Sequence, residues 1–325
     1  MKKSSHVTGT DTAGANSRVR ITYGEVWSGG PLIELVASTH RNAVDLLFWD
    51  GKEPLIASEI NHDGVVYQAP ALHPSIRQGV WFPSGAAEYG TVGALFWKIG
   101  PLFCQHVGFP EDSAAFATVW IFSSWFPEHF YAPPTLCVNS SNMGQTMNLF
   151  RLFAPLCRRS LGVAELSRRL PIFLGPTLLV NDPGLSDKAV ASWRAANFRG
   201  VHVSGNGGAL LNLFGAKAIF SLGETADSWG DDAMHLTLLP TDNEFPPLTE
   251  QEQGEIAAKF QPQLLMYRLR HLQQVPQSAN PSRQPASAGF ELSRKLLLYF
   301  QEEPKIVETV TPLFQSHQRE LRCRR

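Results

Sequence analysis

Between Thr135 and Thr241 the chain alternates short apolar runs with segments of helical spacing, and this constrains the fold more than any other feature. The runs are Thr135-Leu-Cys-Val138, Leu161-Gly-Val-Ala-Glu165, Pro176-Thr-Leu-Leu-Val180, Ala216-Lys-Ala-Ile-Phe-Ser221 and Met234-His-Leu-Thr-Leu-Leu239. Each is short and apolar at successive positions, the pattern of a strand covered on both faces. Helices are expected from Met147 to about Arg158 and from Ser186, a capping residue, to Asn197. Strands joined through helices pair in parallel, because a parallel pair needs a long crossover. The segment Val201 to Leu213 reads as a hairpin around Ser204-Gly-Asn-Gly-Gly208.

The flanks differ in character. Residues 1–17 are small and polar and are expected to be a disordered tail. Residues 18–84 carry alternating patterns and the turn Asp50-Gly51, expected to be a small antiparallel β-rich unit or the edge of a larger sheet. Residues 85–130 form a helical lead-in, one helix over Tyr89 to Val107 and a second from Pro110 through Trp125. The core is placed at 131–275. It closes on a helix that begins at the capping box Thr249-Glu-Gln-Glu252 and bends or runs straight at Pro262. Residues 276–288 read as a linker, and 289–325 as a helix, Phe290 to Glu302, with a short basic tail.

Charge excludes little: 28 Lys+Arg against 29 Asp+Glu leave −1, so any nucleic-acid surface must be local. The candidate spots are Arg158-Arg159, Arg168-Arg169 and the tail Arg319, Arg322, Arg324 and Arg325. Cys104, Cys137, Cys157 and Cys323 form no CxxC pair, and a reducing, cytoplasmic setting is expected. Met1-Lys2-Lys3-Ser4-Ser5 leads into no apolar region, and no apolar stretch reaches the length of a membrane span, so no membrane partner is expected.

Four elements in order carry the functional reading. After the first strand comes Asn139-Ser140-Ser141-Asn142-Met143-Gly144-Gln145-Thr146, which meets the phosphate-binding pattern G-x-x-x-x-G-K-[ST] at Gly144 and Thr146. Asn139 stands for the first glycine and Gln145 for the lysine. Next, Leu178-Leu-Val-Asn181-Asp182-Pro183 stands where an acidic pair would organise Mg²⁺ and activate water. In either register one carboxylate is missing, and a plain turn is the competing reading. Third, the strand ending at Ser221 offers Ser221 and Glu224 as polar contacts to a γ-phosphate. Last, Asp231-Asp232 stands where an arginine would be expected. Lys188 and Lys217 are the nearest lysines that could replace the missing one, and both read as surface residues. A separate cluster, Glu59-Ile-Asn-His62-Asp63, falls in a turn between strands and reads as structural.

The order strand, degenerate P-loop, helix, Leu178 to Pro183, Ala216 to Ser221 and Asp232 to Leu238 resembles the helicase-like ATPase domain of phage- and plasmid-type primase–helicases, over roughly residues 85–275. The resemblance implies an α/β fold, a P-loop NTPase-like parallel sheet flanked by helices, with a small N-terminal β-rich unit and C-terminal helices. It also implies an ATPase acting on DNA, in replication or in a mobile element. On this resemblance Asn139 to Thr146 would bind the nucleotide, Thr146 and Asp182 the Mg²⁺, and Asp182 and Ser221 would be catalytic, with ATP and Mg²⁺ as cofactors. The family residues carry over only at Gly144, Thr146 and Asp182. The losses at Gln145, Asn181 and the arginine predict impaired hydrolysis and a scaffold or accessory role. An active ATPase using substitute residues and a non-nucleotide interaction module are the alternatives. Expected partners are nucleic acid and either further copies of the chain or a larger protein.

Overall fold

The computed structural model describes residues 18–40, 43–164, 170–204, 210–221, 233–239, 245–273, 293–295 and 299–323. The expectations for 1–17, Arg168-Arg169, the hairpin tip, Glu224, Asp231-Asp232, the 276–288 linker and Arg324-Arg325 lie outside them. The side chains of Arg319 and Arg322 lie outside them too.

The N-terminal strands are β1 (Arg18–Ile21), β2 (Glu25–Val26), β3 (Leu32–Ala37), β4 (Val44–Trp49), β5 (Leu55–Ala57), β6 (Glu59–His62) and β7 (Val65–Gln68). They make two sheets rather than one antiparallel unit. β2-β3-β4-β5 is antiparallel throughout, whereas β1 pairs parallel with β7, which turns back onto β6. The Glu59 to His62 cluster is therefore strand, with only Asp63 in the turn, at φ 51°.

Helices α1 (Pro74–Gly79), α2 (Val92–Val107) and α3 (Glu111–Ser124) follow. Thr91 starts α2 by accepting from Ala94 N at 3.0 Å, three residues later than the spacing predicts. α3 is buried at every position from Ala114 to Ser124, which explains why it shows no polar face.

The core holds β8 (Thr135–Ser140), α4 (Met143–Leu156), β9 (Leu161–Val163), β10 (Leu178–Asn181), α5 (Asp187–Ala196), β11 (Val203–Ser204), β12 (Leu210–Leu211), β13 (Lys217–Ser221) and β14 (Ala233–Leu238). The hairpin is reduced to the two-residue pair β11–β12. The other five strands form one parallel sheet in the order β14-β8-β13-β10-β9. The fold class is thus α/β, a five-stranded parallel sheet flanked by helices with a small β-rich N-terminal region. α6 (Glu250–His271) starts at the expected capping box and runs unbroken through Pro262. α7 (Pro304–Cys323) is a full helix where a short basic tail is expected from the sequence.

Both faces of the parallel sheet are covered. Leu136, Val138, Ala218, Phe220, Met234 and Leu236 pack into one cluster with α2, α3, α4 and α6. Cys137, Leu178, Val180 and Ile219 pack into the other with α5, Ile33, Leu35 and Leu46. Alternate residues of β3 divide between the clusters, Leu32 and Val36 in the first and Ile33 and Leu35 in the second. The N-terminal sheet is therefore built into the core.

Glu34 shares the β3 face of Leu32 and Val36 and is only 3% exposed. Its carboxylate accepts from Arg158 Nη2 at 2.9 and 3.0 Å, Arg159 Nη2 at 2.6 Å and Arg268 Nε at 2.7 Å. Arg268 also donates to Glu128 at 2.7 and 2.9 Å and to Trp125 O. Arg159 Nη1 donates to Tyr23 O at 2.7 Å and Leu174 O at 2.8 Å. Arg158-Arg159 is thus a buried junction and not a basic surface spot. Burial pushes the Glu34 carboxyl up, but the three guanidinium groups outweigh it and hold it well below the usual range. The same balance, with Arg268 as the main counter-charge, brings Glu128 down to about 2. Burial lowers Arg159 to about 10.

Candidate functional site

Helices α4 and α5, which follow β8 and β10, lie on opposite faces of the sheet. The carboxyl ends of β8, β13 and β10 form the edge at which open α/β sheets generally place ligands. The backbone register brings three of the positions named from the sequence to this edge. Ser221 pairs with Asn139, which pairs on its other side with Thr237, and Asn181 pairs with Phe220.

The local geometry at this edge differs from a phosphate-wrapping loop. Asn139 and Ser140 belong to the β8 ladder. α4 begins at Met143, four residues earlier than the apolar spacing predicts, so only Ser141 and Asn142 connect strand to helix. A P-loop needs a longer run of free backbone N–H groups to surround a phosphate. Here Ser140 Oγ accepts from Asn142 N at 3.0 Å, and Asn142 Oδ1 accepts from Gln145 N at 3.1 Å. The helix N-terminus, where an anion would gain most, is capped by the protein's own side chain.

The remaining octet residues turn inward or outward. Gln145 is 5% exposed and donates from Nε2 to Val107 O at 2.9 Å, in the seam between α2 and α4. Thr146 is fully buried, and its hydroxyl donates to Asn142 O at 3.0 Å. Met143 is 42% exposed. Gly144 has ordinary helical geometry, and an added Cβ would meet nothing closer than Asn142 Oδ1 at 3.4 Å.

Asn181 Nδ2 lies 2.9 Å from Met147 Sδ, while its Oδ1 is buried without a partner among the described residues. Asp182 Oδ1 accepts from Gly184 N at 3.1 Å, the local turn that competes with the metal reading of this segment. No hydrogen bond joins Thr146 to Asp182, and the described residues contain no group of three His, Cys, Asp or Glu placed to hold a metal. These contacts do not fit ATP–Mg²⁺ in the way the motif order implies. The Ser221 backbone stands at the edge; its side chain lies outside the described atoms.

The two replacement lysines are placed differently. Lys188 is exposed in the first turn of α5. Lys217 is not a surface residue: it is 1% exposed, and Nζ donates to Asn197 Oδ1 at 2.6 Å and Gly215 O at 2.7 Å. It pairs with Thr135 at the amino end of the sheet, roughly 13 Å along the strands from Ser221. Burial brings its pKa down to about 7. The unfolded chain therefore binds more protons than the folded one between that value and the usual lysine range, and stability rises with pH there. Urea midpoints are expected to increase from about pH 7 to about pH 9, and a Lys217→Met variant to lose that increase.

No protein-family model matches the sequence, and no curated protein matches it. Among solved structures, two apo structures of the NrS-1 C-terminal region are similar in arrangement, both at TM-score 0.34. The first is 10% identical, with 71% of this chain and 65% of that chain covered; the second is 9% identical, with 86% and 72% covered. This chain therefore spans just under two thirds of the first of them. No helix among the described residues is long and apolar enough to cross a membrane.

Proposed function

We propose that this chain is a P-loop-like α/β scaffold whose nucleotide site has been closed, serving as an accessory factor in a DNA-related system of replication or of a mobile element. The observation that carries the proposal is the two-residue connection from β8 to α4, with Asn142 capping the helix and Gln145 turned into the α2–α4 seam. A helix end that satisfies its own N–H groups has less to offer a phosphate, and a buried amide supplies no charge to a transition state. The DNA-related setting rests on the motif order from Asn139 to Leu238, to which the β14-β8-β13-β10-β9 strand order is suited.

An active ATPase with a substitute lysine is disfavoured by Lys217, which is anchored at the amino end of the sheet. Calorimetric titration with ATP and ADP, with and without Mg²⁺, beside a steady-state ATPase assay, tests the proposal. No Mg²⁺-dependent binding and no turnover above the blank are expected. Turnover that disappears in a Thr146→Val variant would sink it.

A further inference from the structure

A cleft of about 550 Å³ lies away from the sheet edge, between the β3–β4 connection, residues 77–84 and α6. Among the described residues its lining includes His40, Arg77, Gln78, Trp81 and Gln261, and no Asp or Glu. Arg77 is held in place at its stem: Nε donates to Ala43 O at 3.0 Å, and the guanidinium sits 5.5 Å from the Phe82 ring centroid. Among the described residues no carboxylate pairs with it. Consistent with that, burial alone lowers its pKa and no neighbouring acid raises it.

A half-buried cation without a counter-ion among the described residues calls for a complement. That complement is a negatively charged group rich in acceptor oxygens. The cleft has the size of a small-molecule site and exceeds what a bare inorganic anion fills. Trp81 and Phe82 supply apolar wall for the remainder.

We propose that this cleft binds a small organic oxyanion, a phosphate or carboxylate carried on a ring-sized body, with Arg77 as its counter-ion. The proposal is independent of the sheet-edge reading, because none of the cleft residues belongs to that edge.

Calorimetric titration with phenyl phosphate, benzoate and inorganic phosphate tests it, with the first two distinguishing phosphate from carboxylate. At least one ring-bearing probe is expected to bind about tenfold more tightly than inorganic phosphate. Arg77→Gln is expected to weaken that probe by about tenfold or more. Gln78→Glu, an exposed change that leaves the Arg77 anchors intact, is expected to abolish binding by supplying a competing carboxylate. Three results would overturn the proposal: no probe binding to the wild-type chain in the millimolar range, affinity unchanged in Arg77→Gln, or affinity unchanged in Gln78→Glu. An Arg77→Gln chain that fails to fold leaves the decision to Gln78→Glu.

Discussion

Glu34→Gln is expected to destabilise the protein by about 3–5 kcal/mol, measured as a shift in the urea midpoint at constant slope. The glutamine keeps an acceptor oxygen and the side-chain volume, so the lost element is the charge. Arg158, Arg159 and Arg268 would remain buried, and Glu128 hydrogen-bonds Arg268 while Arg158 and Arg159 lose their ion pair to Glu34. Uncompensated charge in a low-dielectric interior is among the few single changes able to remove most of a domain's stability. The exposed pair Arg270–Glu88 is the control. With side chains 37% and 67% exposed, Glu88→Gln is expected to cost less than about 1 kcal/mol. Equal losses in the two variants would show that the buried cluster contributes no more than a surface pair.

The same cluster sets the acid limb. Glu34 and Glu128 have folded pKa values below their unfolded ones, so their stabilisation is complete above the ordinary carboxylate range. It is lost as pH falls through that range toward about 2, where Glu128 titrates in the folded chain. Glu128 keeps 28% of its side-chain surface in solvent and contributes less than Glu34. A urea series at descending pH should show this loss in the wild type and a shallower one in Glu34→Gln.

Gln145→Lys is expected to leave ATP hydrolysis absent and to destabilise the fold by about 2–4 kcal/mol. From the motif alone this change would repair the missing lysine. In the fold, position 145 lies in the seam between α4 and the end of α2, with its amide on Val107 O. A lysine there would bury an ammonium group, with only the carbonyl end of α2 to offset it. Turnover in this variant at wild-type stability would mean that α4 can unwind at its first turn and expose the octet to a phosphate, and the closed-site reading would fail.

The regular elements were legible because their signals are local. The apolar runs gave the five core strands to within two residues, Ser186 marked the start of α5, and Thr249 with Glu252 marked α6. The start of α4 was not legible. Met143 to Thr146 shows no apolar stripe of its own, and the helix extends there because Asn142 caps it. The β1–β7 parallel pairing was hidden as well, since Val19 and Ile21 are exposed and alternation alone does not state a partner or a direction.

What the sequence by itself determined is the order of strands and helices and their capping; the adjacency of Asn139, Asn181 and Ser221 at one sheet edge came with the strand pairing. Tertiary structure alone decided where the polar side chains between those elements go. Gln145 turns to Val107, Lys217 to Asn197 and Gly215, and Arg158 to Glu34 across 124 residues of chain. The physical reason is that backbone hydrogen bonding and apolar periodicity act over a few residues. A buried polar group is paired with whatever the packing of distant elements brings to it, and no local pattern encodes that partner.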